Sequence, residues 1–329
     1  MTAAGPPAAP LTDVHVHLAA LPTPENRCLL SRRMLRSPLT RFLAWQQGLP
    51  LHDPETANRL YLERLERELL ASERVGRAVL LAMDGVYDAA GRLDEARTDF
   101  LIANDHLFTV TQGRPHFLPG VSVNPARRDA VDELERCAEK GAVLVKVLPN
   151  AQAFDPADPR FVPFYAALAR LGLPLLTHVG YEFSLIGQDQ SVGDVSRMVA
   201  ALDQGVTVIA AHGCSSGLFF REPHLPTMAD LARRYPNFLV DTSALTIPNR
   251  VGMLYRLRRH PELFDRLLFG TDYPLPVWAY PGLGVLDWSG FARAWKAKNR
   301  FDRQVTVLKS LNVSCEGKLP GRLGIASPR

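Results

Sequence analysis

Cysteine is scarce in this chain and nowhere paired. Cys28, Cys137, Cys214 and Cys315 stand far apart, with no CxxC step among them. That spacing excludes a zinc knuckle and argues against a disulfide-stapled secreted fold. Long apolar runs are also missing: no stretch approaches the roughly 20 residues that span a bilayer. The leader "MTAAGPPAAP" has neither a basic start nor a continuous apolar segment, so it does not read as a signal peptide, and the expected setting is the reducing cytoplasm. Charge of one sign is not concentrated either. Against 38 Lys and Arg stand 34 Asp and Glu, a net charge of +4. The densest basic piece, Arg256 to Arg259 in "YRLRRH", fits a solvated helix face better than a nucleic-acid patch. No glycine-rich phosphate turn follows an early strand, since "DGVYDAAG" lacks both the spacing and the helix start that a dinucleotide site needs.

What the chain does have is apolar residues, 47% of 329, enough to bury a large core. They fall into eight β-branched runs: "LTDVHVH", "GRAVLLAMD", "HFLPGVSVN", "GAVLVKVLP", "LPLLTHVG", "GVTVIAAHG", "NFLVDTS" and "DRLLFGTD". Between them lie amphipathic helical stretches such as "ETANRLYLERLERELLASE", with leucines at helical spacing, and "RRDAVDELERCAEKG", which stops at Gly141. Strict alternation of strand and helix implies a parallel sheet, and eight units in this length match an α/β fold of the (β/α)₈ barrel type. A doubly wound open sheet is the alternative. Two irregular regions interrupt the alternation: one from His17 to about Pro54, the other "TDYPLPVWAYPGLGVLDWSG" after the last strand. Both would emerge at the C-terminal face, where this fold carries its active sites, as a lid or pocket wall. The expectation is one domain over residues 1–329, with loosely held tails at 1–10 and about 318–329.

The chemistry sits at the strand ends. On a regular strand Asp13, His15 and His17 share one face and Val14 and Val16 the other, so the polar set is expected to converge on the barrel axis. Lys146 ends the fourth strand, His178 the fifth, His212 the sixth and Asp272 the eighth. Each is a lone ionisable residue after a run of aliphatics, and an unpartnered buried charge is expensive or is forced neutral. Five strands with the same costly exception point to one shared site. Its imidazoles and carboxylates suit a divalent cation: Zn²⁺, with Mn²⁺ or Fe²⁺ as alternatives.

These residues resemble the amidohydrolase superfamily, and within it the amidohydrolase-related branch that includes amino-carboxymuconate-semialdehyde decarboxylase. The resemblance runs from "DVHVH" to "FGTDYP" and takes in "PADPRFVPFYAALARLGLPLLTHVG" and "RRYPNFLVDTSAL". It implies that His15, His17, His178 and Asp272 ligate a first metal. His212 is then the general acid/base or a ligand of a second ion, and Asp272 doubles as the base that takes a proton from the metal-activated water. "KVLPN" is similar to the "KLYPA" stretch of dihydroorotases, so Lys146 is either a carboxylated bridge between two ions or an ammonium paired with Asp272 or with substrate.

Further readings concern the surroundings. Asp13 is expected to accept an imidazole N–H. Asp84, Asn124, Asp241, Thr242 and Ser243 are either substrate contacts or helix caps. Glu182 is a candidate partner of substrate or of His17, and Arg32, Arg33 and Arg221 are candidates for gripping an anionic substrate. Trp45, Trp278 and Tyr280 are expected in the pocket wall, Cys214 as a packing or pocket-lining thiol, and His52, His106, His116, His224 and His260 as surface or capping residues. The resulting expectation is a metal-dependent hydrolase acting on a small molecule, with an anionic one among the candidates. A decarboxylase or hydratase of aromatic or dienoic acids is the alternative, and a non-catalytic binding barrel is disfavoured because no ligand position is lacking. Neither nucleic acid nor membrane is an expected partner, and a homo-oligomer stays open.

Overall fold

The computed structural model describes residues 10–183, 185 and 189–318. The two tails expected from the sequence therefore lie, but for Pro10 and Lys318, outside the described residues. Eight parallel strands follow one another in chain order: β1 Leu11–His17, β2 Val75–Leu81, β3 Phe117–Ser122, β4 Leu144–Val147, β5 Leu175–Thr177, β6 Val208–Ala210, β7 Phe238–Asp241 and β8 Leu267–Leu268. Each overlaps one of the eight runs read from the sequence, β2 starting one residue earlier at Val75. Backbone hydrogen bonds bring the eighth strand back to the first: Val14 N–H donates to Phe269 O at 3.0 Å, Asp272 N–H to His15 O at 2.9 Å and His17 N–H to Tyr273 O at 2.8 Å. The sheet thus closes into an α/β barrel, which leaves no exposed edge.

Every strand faces two cores. Leu81, Leu144, Leu176, Ile209, Leu239 and Leu268 fill the barrel interior, while their neighbours Leu80, Val145, Leu175, Val208, Val240 and Leu267 pack outward against the helices. The side-chain period of two then positions the chemistry. Two residues beyond Leu144, Leu176 and Leu239 stand Lys146, His178 and Asp241, one layer nearer the C-terminal mouth.

Strand β1 departs from that regularity. Its pairing with β2 shifts register between Asp13 and Val16, the signature of a β-bulge. Val14 therefore joins the interior core while Val16 joins the outer one. The expected alternation, with both valines against the helices, does not hold, because the extra residue turns Val14 and His15 both toward the axis.

Helices surround the barrel and roof it. After β1 come α1 Arg32–Leu35, α2 Pro38–Gln46 and α3 Pro54–Leu70. The side chains of Ser31, Ser37 and Asp53 cap their first turns, accepting the N–H groups of Met34, Thr40 and Thr56. α3 buries Ala57, Tyr61, Leu65 and Leu69, four residues apart, against the barrel. The outer ring continues with α4 Asn104–Thr111, α5 Ala130–Glu139, the short α6 Pro149–Gln152, α7 Val162–Leu171, α8 Val199–Asp203, α9 Leu225–Arg234 and α10 Val251–Leu257. It ends with α11 Trp288–Lys296 and α12 Arg300–Ser310. α7 stops at Gly172, whose φ of 64° is open to glycine at little cost.

One element was not legible in the sequence. Leu29–Leu30 pairs antiparallel with Phe100–Leu101, which staples the lid region after β1 to a second long excursion after β2. No helix among the described residues is long and apolar enough to cross a membrane.

Leu176 is wholly buried in the barrel interior, below His178. Leu176→Ala should lower unfolding stability by about 2–5 kcal/mol, read as a fall in the urea midpoint with the slope unchanged.

Candidate metal centre

A cavity of about 200 Å³ opens at the barrel mouth, and His15, His17, Lys146, His178, His212 and Asp272 all line it, with Glu182 beside them. All six ionisable residues singled out in the sequence thus meet at one place. Two of them stand on unusual backbone. His212 and Asp272 have φ of 59° and 66°, a left-handed conformation that costs a non-glycine residue free energy and recurs at functional sites.

A chain of hydrogen bonds orders the imidazoles. His15 Nδ1 lies 2.7 Å from Asp241 Oδ2, with both side chains out of solvent. The carboxylate only accepts, so the shared proton belongs to His15 Nδ1 and the ring's Nε2 carries a lone pair. Ser243 donates its hydroxyl to Asp241 Oδ1 and leaves its oxygen to accept from His212 Nδ1 at 2.8 Å. His212 Nε2 then presents its lone pair to His178 Nδ1 at 3.2 Å, and Glu182 Oε2 lies 3.3 Å from the same His178 nitrogen. By elimination the proton of His178 is on Nδ1, and its Nε2 is a buried acceptor without a hydrogen-bond partner.

The candidate ligand atoms crowd around His15 Nε2. His15 Nε2 is 3.3 Å from His17 Nε2 and 3.5 Å from Asp272 Oδ1, and His17 Nε2 is 3.1 Å from the same oxygen. Lys146 Nζ lies 3.3 Å from His15 Nε2. Imidazole nitrogens and a carboxylate oxygen brought this close form an arrangement that suits a shared cation. Two sets of ligand atoms among the described residues are close enough to share an ion: His15, His17 and Asp272, and His15, His212 and Asp241. In the second set Asp241 Oδ1 already accepts the His212 and Ser243 N–H groups at 2.8 and 2.9 Å. The first set is therefore the better seat, and its imidazoles and carboxylate suit Zn²⁺, Mn²⁺ or Fe²⁺.

Protonation follows from the same surroundings. Burial holds His15 below the usual histidine range, with Lys146 adding to it. It holds His178 and His212 well below that range, helped by the charge of Arg250. Burial also brings Lys146 down to about 8. For Asp272 burial works upward, but His15, His17 and Lys146 outweigh it and keep the carboxyl well below its usual range. At neutral pH the site is rich in bases.

Several expectations need correcting. Asp13 does not touch an imidazole: it accepts the His15 backbone N–H at 2.9 Å and the Thr271 hydroxyl at 2.6 Å, bracing β1 against the end of β8. The orienting carboxylate is Asp241, which ends "FLVD" just as Asp272 ends its own run, so the same signal marked it. Glu182 meets His178 rather than His17. Asp84 and Asn124 brace loops: Asp84 accepts from the Gly85 and Asn124 N–H groups, and Asn124 donates to Gly85 O and Gln152 O. Arg32, Arg33 and Arg221 are exposed and none lines the cavity, Arg33 being paired with Asp99. Trp45, 77% exposed, Trp278 and Tyr280 are absent from the wall as well. α2 turns Leu39, Leu43, Ala44 and Gln47 inward instead, because the i, i+4 spacing that points these toward the barrel sends Trp45 outward. Cys214 is buried packing, its thiol pushed up by burial. Sequence reasoning also missed Arg250, buried behind the site and bonded to Ser215 O at 3.0 Å and Tyr181 O at 3.1 Å.

A family model described as amidohydrolase matches residues 12–281. No curated protein matches the chain. Among solved structures, an uncharacterized TIM-barrel protein from Bordetella bronchiseptica is similar over 92% of this chain and 99% of its own, with 19% identity and a TM-score of 0.59. Metarhizium anisopliae IDCase is 15% identical with a TM-score of 0.51, over 92% of this chain and 97% of its own. The 5-carboxyvanillate decarboxylase from Sphingomonas paucimobilis, also 15% identical, covers 93% of this chain and 100% of its own with a TM-score of 0.50. At such identities the likeness is one of fold.

Because Asp241 holds the proton on His15 Nδ1, Asp241→Asn should weaken divalent-ion binding by about 10–100-fold. Titration calorimetry of Zn²⁺ into metal-free protein reads the change, and an unchanged affinity would show that Asp241 does not orient the ligand.

Proposed function

The chain belongs to the amidohydrolase family, and from that premise we propose that it is a metal-dependent hydrolase that uses a cation-activated water on an ester, lactone or amide of a small molecule. The observation that carries the reading is the convergence of His15 Nε2, His17 Nε2 and Asp272 Oδ1 within 3.5 Å of one another at the cavity floor. His15, His17 and Asp272 would hold the ion, while His178, expected as a fourth ligand, lies outside the set of atoms close enough to share it. When bound, a divalent cation lowers the pKa of water toward neutrality and polarises a carbonyl oxygen.

The remaining work falls to the chain's own groups. Asp272, held ionised, takes the proton released as a water oxygen bonds to the substrate carbonyl carbon, and returns it to the leaving group as the carbon–heteroatom bond breaks. His212, neutral and with its Nδ1 proton given to the Ser243 hydroxyl oxygen at 2.8 Å, stands beside Asp272 as a second buried base. The ammonium of Lys146, beside His15 Nε2, offsets negative charge developing on the carbonyl oxygen. Asp241 and Ser243 keep the imidazole protons in place, and α1 and α2 set apolar side chains over the floor.

A second reading, non-oxidative decarboxylation or hydration of an aromatic or dienoic acid, is favoured by Lys146, an ammonium suited to a substrate carboxylate. It also requires an acid to protonate the carbon left behind. Burial holds His15, His178 and His212 in the base form, and Asp272 is held ionised, a floor rich in bases that supports hydrolysis as the first reading. Carboxylation of Lys146 would add a second ion, and intact-mass spectrometry at mild pH detects that carbamate. The four cysteines are free, which supports a cytoplasmic setting.

Purified protein should carry about one divalent ion per chain by elemental analysis, and chelation should abolish ester or lactone hydrolysis until Zn²⁺ or Mn²⁺ is restored. Asp272→Asn should lower kcat by about 10²–10⁴-fold. Carbon dioxide release without water-dependent cleavage across the same panel would transfer the assignment to the lyase reading.

A further inference from the structure

Among the described residues, the cavity is charged only at its floor. Its walls are Met34, Leu39, Leu43, Leu49, Phe100 and Leu275, with other aliphatic groups between them. Among the described residues lining it, Lys146 is the one lysine or arginine, and it lies at the floor beside His15. The polar side chains of the wall are neutral and in part spent. Asn58 donates to Leu21 O at 2.9 Å and accepts from Leu21 N–H at 2.6 Å, and the Tyr61 hydroxyl donates to His17 O at 2.6 Å. The nearest buried guanidinium, that of Arg250, is turned onto the carbonyls of Ser215 and Tyr181.

Any charged group in the upper cavity would therefore leave water without meeting a countercharge, and an unpaired ion in such surroundings is strongly disfavoured. At about 200 Å³ the space is smaller than a drug-sized site, which suits a molecule of one ring or a short chain. We propose that the substrate is one-headed: a single carbonyl or carboxylate group at the polar floor, an uncharged alkyl or aryl body under α2, and selection against a second anionic group in that body. The inference rests on the reading that the floor takes the reacting end of a substrate.

Two acids of nearly equal shape test it. 4-Isopropylbenzoate and terephthalate differ in whether the group opposite the first carboxylate is apolar or anionic. Titration calorimetry on zinc-loaded protein should show 4-isopropylbenzoate binding at least about a hundredfold more tightly, given the cost of an unpaired buried carboxylate. Leu43→Arg, which sets a cation in the wall, should narrow that ratio at least about tenfold, whereas Leu43→Met should leave it unchanged. If thermal unfolding shows Leu43→Arg to be misfolded, Thr40→Lys on the same helix face serves instead. Equal affinities, tighter terephthalate binding, no saturable binding of 4-isopropylbenzoate, or a ratio unmoved by the folded cationic variant would each overturn the proposal. Binding is read without turnover. A chain that hydrolyses nothing yet keeps the hundredfold ratio refutes the reaction and retains the selectivity, and a hydrolase without the ratio does the reverse.

Discussion

The contact between His15 Nδ1 and Asp241 Oδ2, 2.7 Å long and wholly out of solvent, orders everything above the barrel floor. A buried imidazole has one proton and two nitrogens, and its neighbours decide which nitrogen keeps it. Asp241 claims that proton, so the lone pair of His15 is turned into the cavity. Through Ser243 the same carboxylate sets His212, and through His212 it sets His178. One acid at the end of β7 thereby aligns three histidines from three other strands.

The cost of this arrangement is local. His15 Nε2 is crowded by His17 Nε2 at 3.3 Å and Asp272 Oδ1 at 3.5 Å, His178 Nε2 has no partner, and His212 and Asp272 hold left-handed backbone. The scaffold tolerates such frustration because the layer beneath is continuous hydrocarbon, contributed by all eight strands, and because β1 and β8 are tied by backbone bonds on either side of His15. Stability is concentrated below the site, as the separation of floor and mouth in this architecture requires. Above the site the lid adds a second low-polarity layer. Most of the ionisable groups are thus buried between two hydrocarbon surfaces, where electrostatic interactions are strong and poorly screened.

Much of the site was legible because strand periodicity and composition are local properties. Lys146, His178, His212 and Asp272 each end a run of aliphatics, and a barrel brings all strand ends to one mouth. Asp241 carried the same mark but could equally have capped a helix; what distinguishes it is its distance to His15, a relation across more than two hundred residues that no local pattern encodes. The bulge in β1 was hidden for a similar reason. Alternation in "DVHVH" is the pattern of a regular strand, and only the pairing register with β2 shows where an extra residue is absorbed.

The sequence by itself determined the order of elements, the eightfold alternation and the residue types held at the strand ends, since each depends on short-range hydrophobic periodicity and on the expense of burying an isolated charge. Tertiary structure alone decided which carboxylate orients which imidazole, that Glu182 meets His178, and that leucines rather than arginines or tryptophans wall the cavity. Those outcomes depend on how long irregular segments fold back across the mouth. Such segments have no periodicity to read, and their conformations are set by the surfaces they cover.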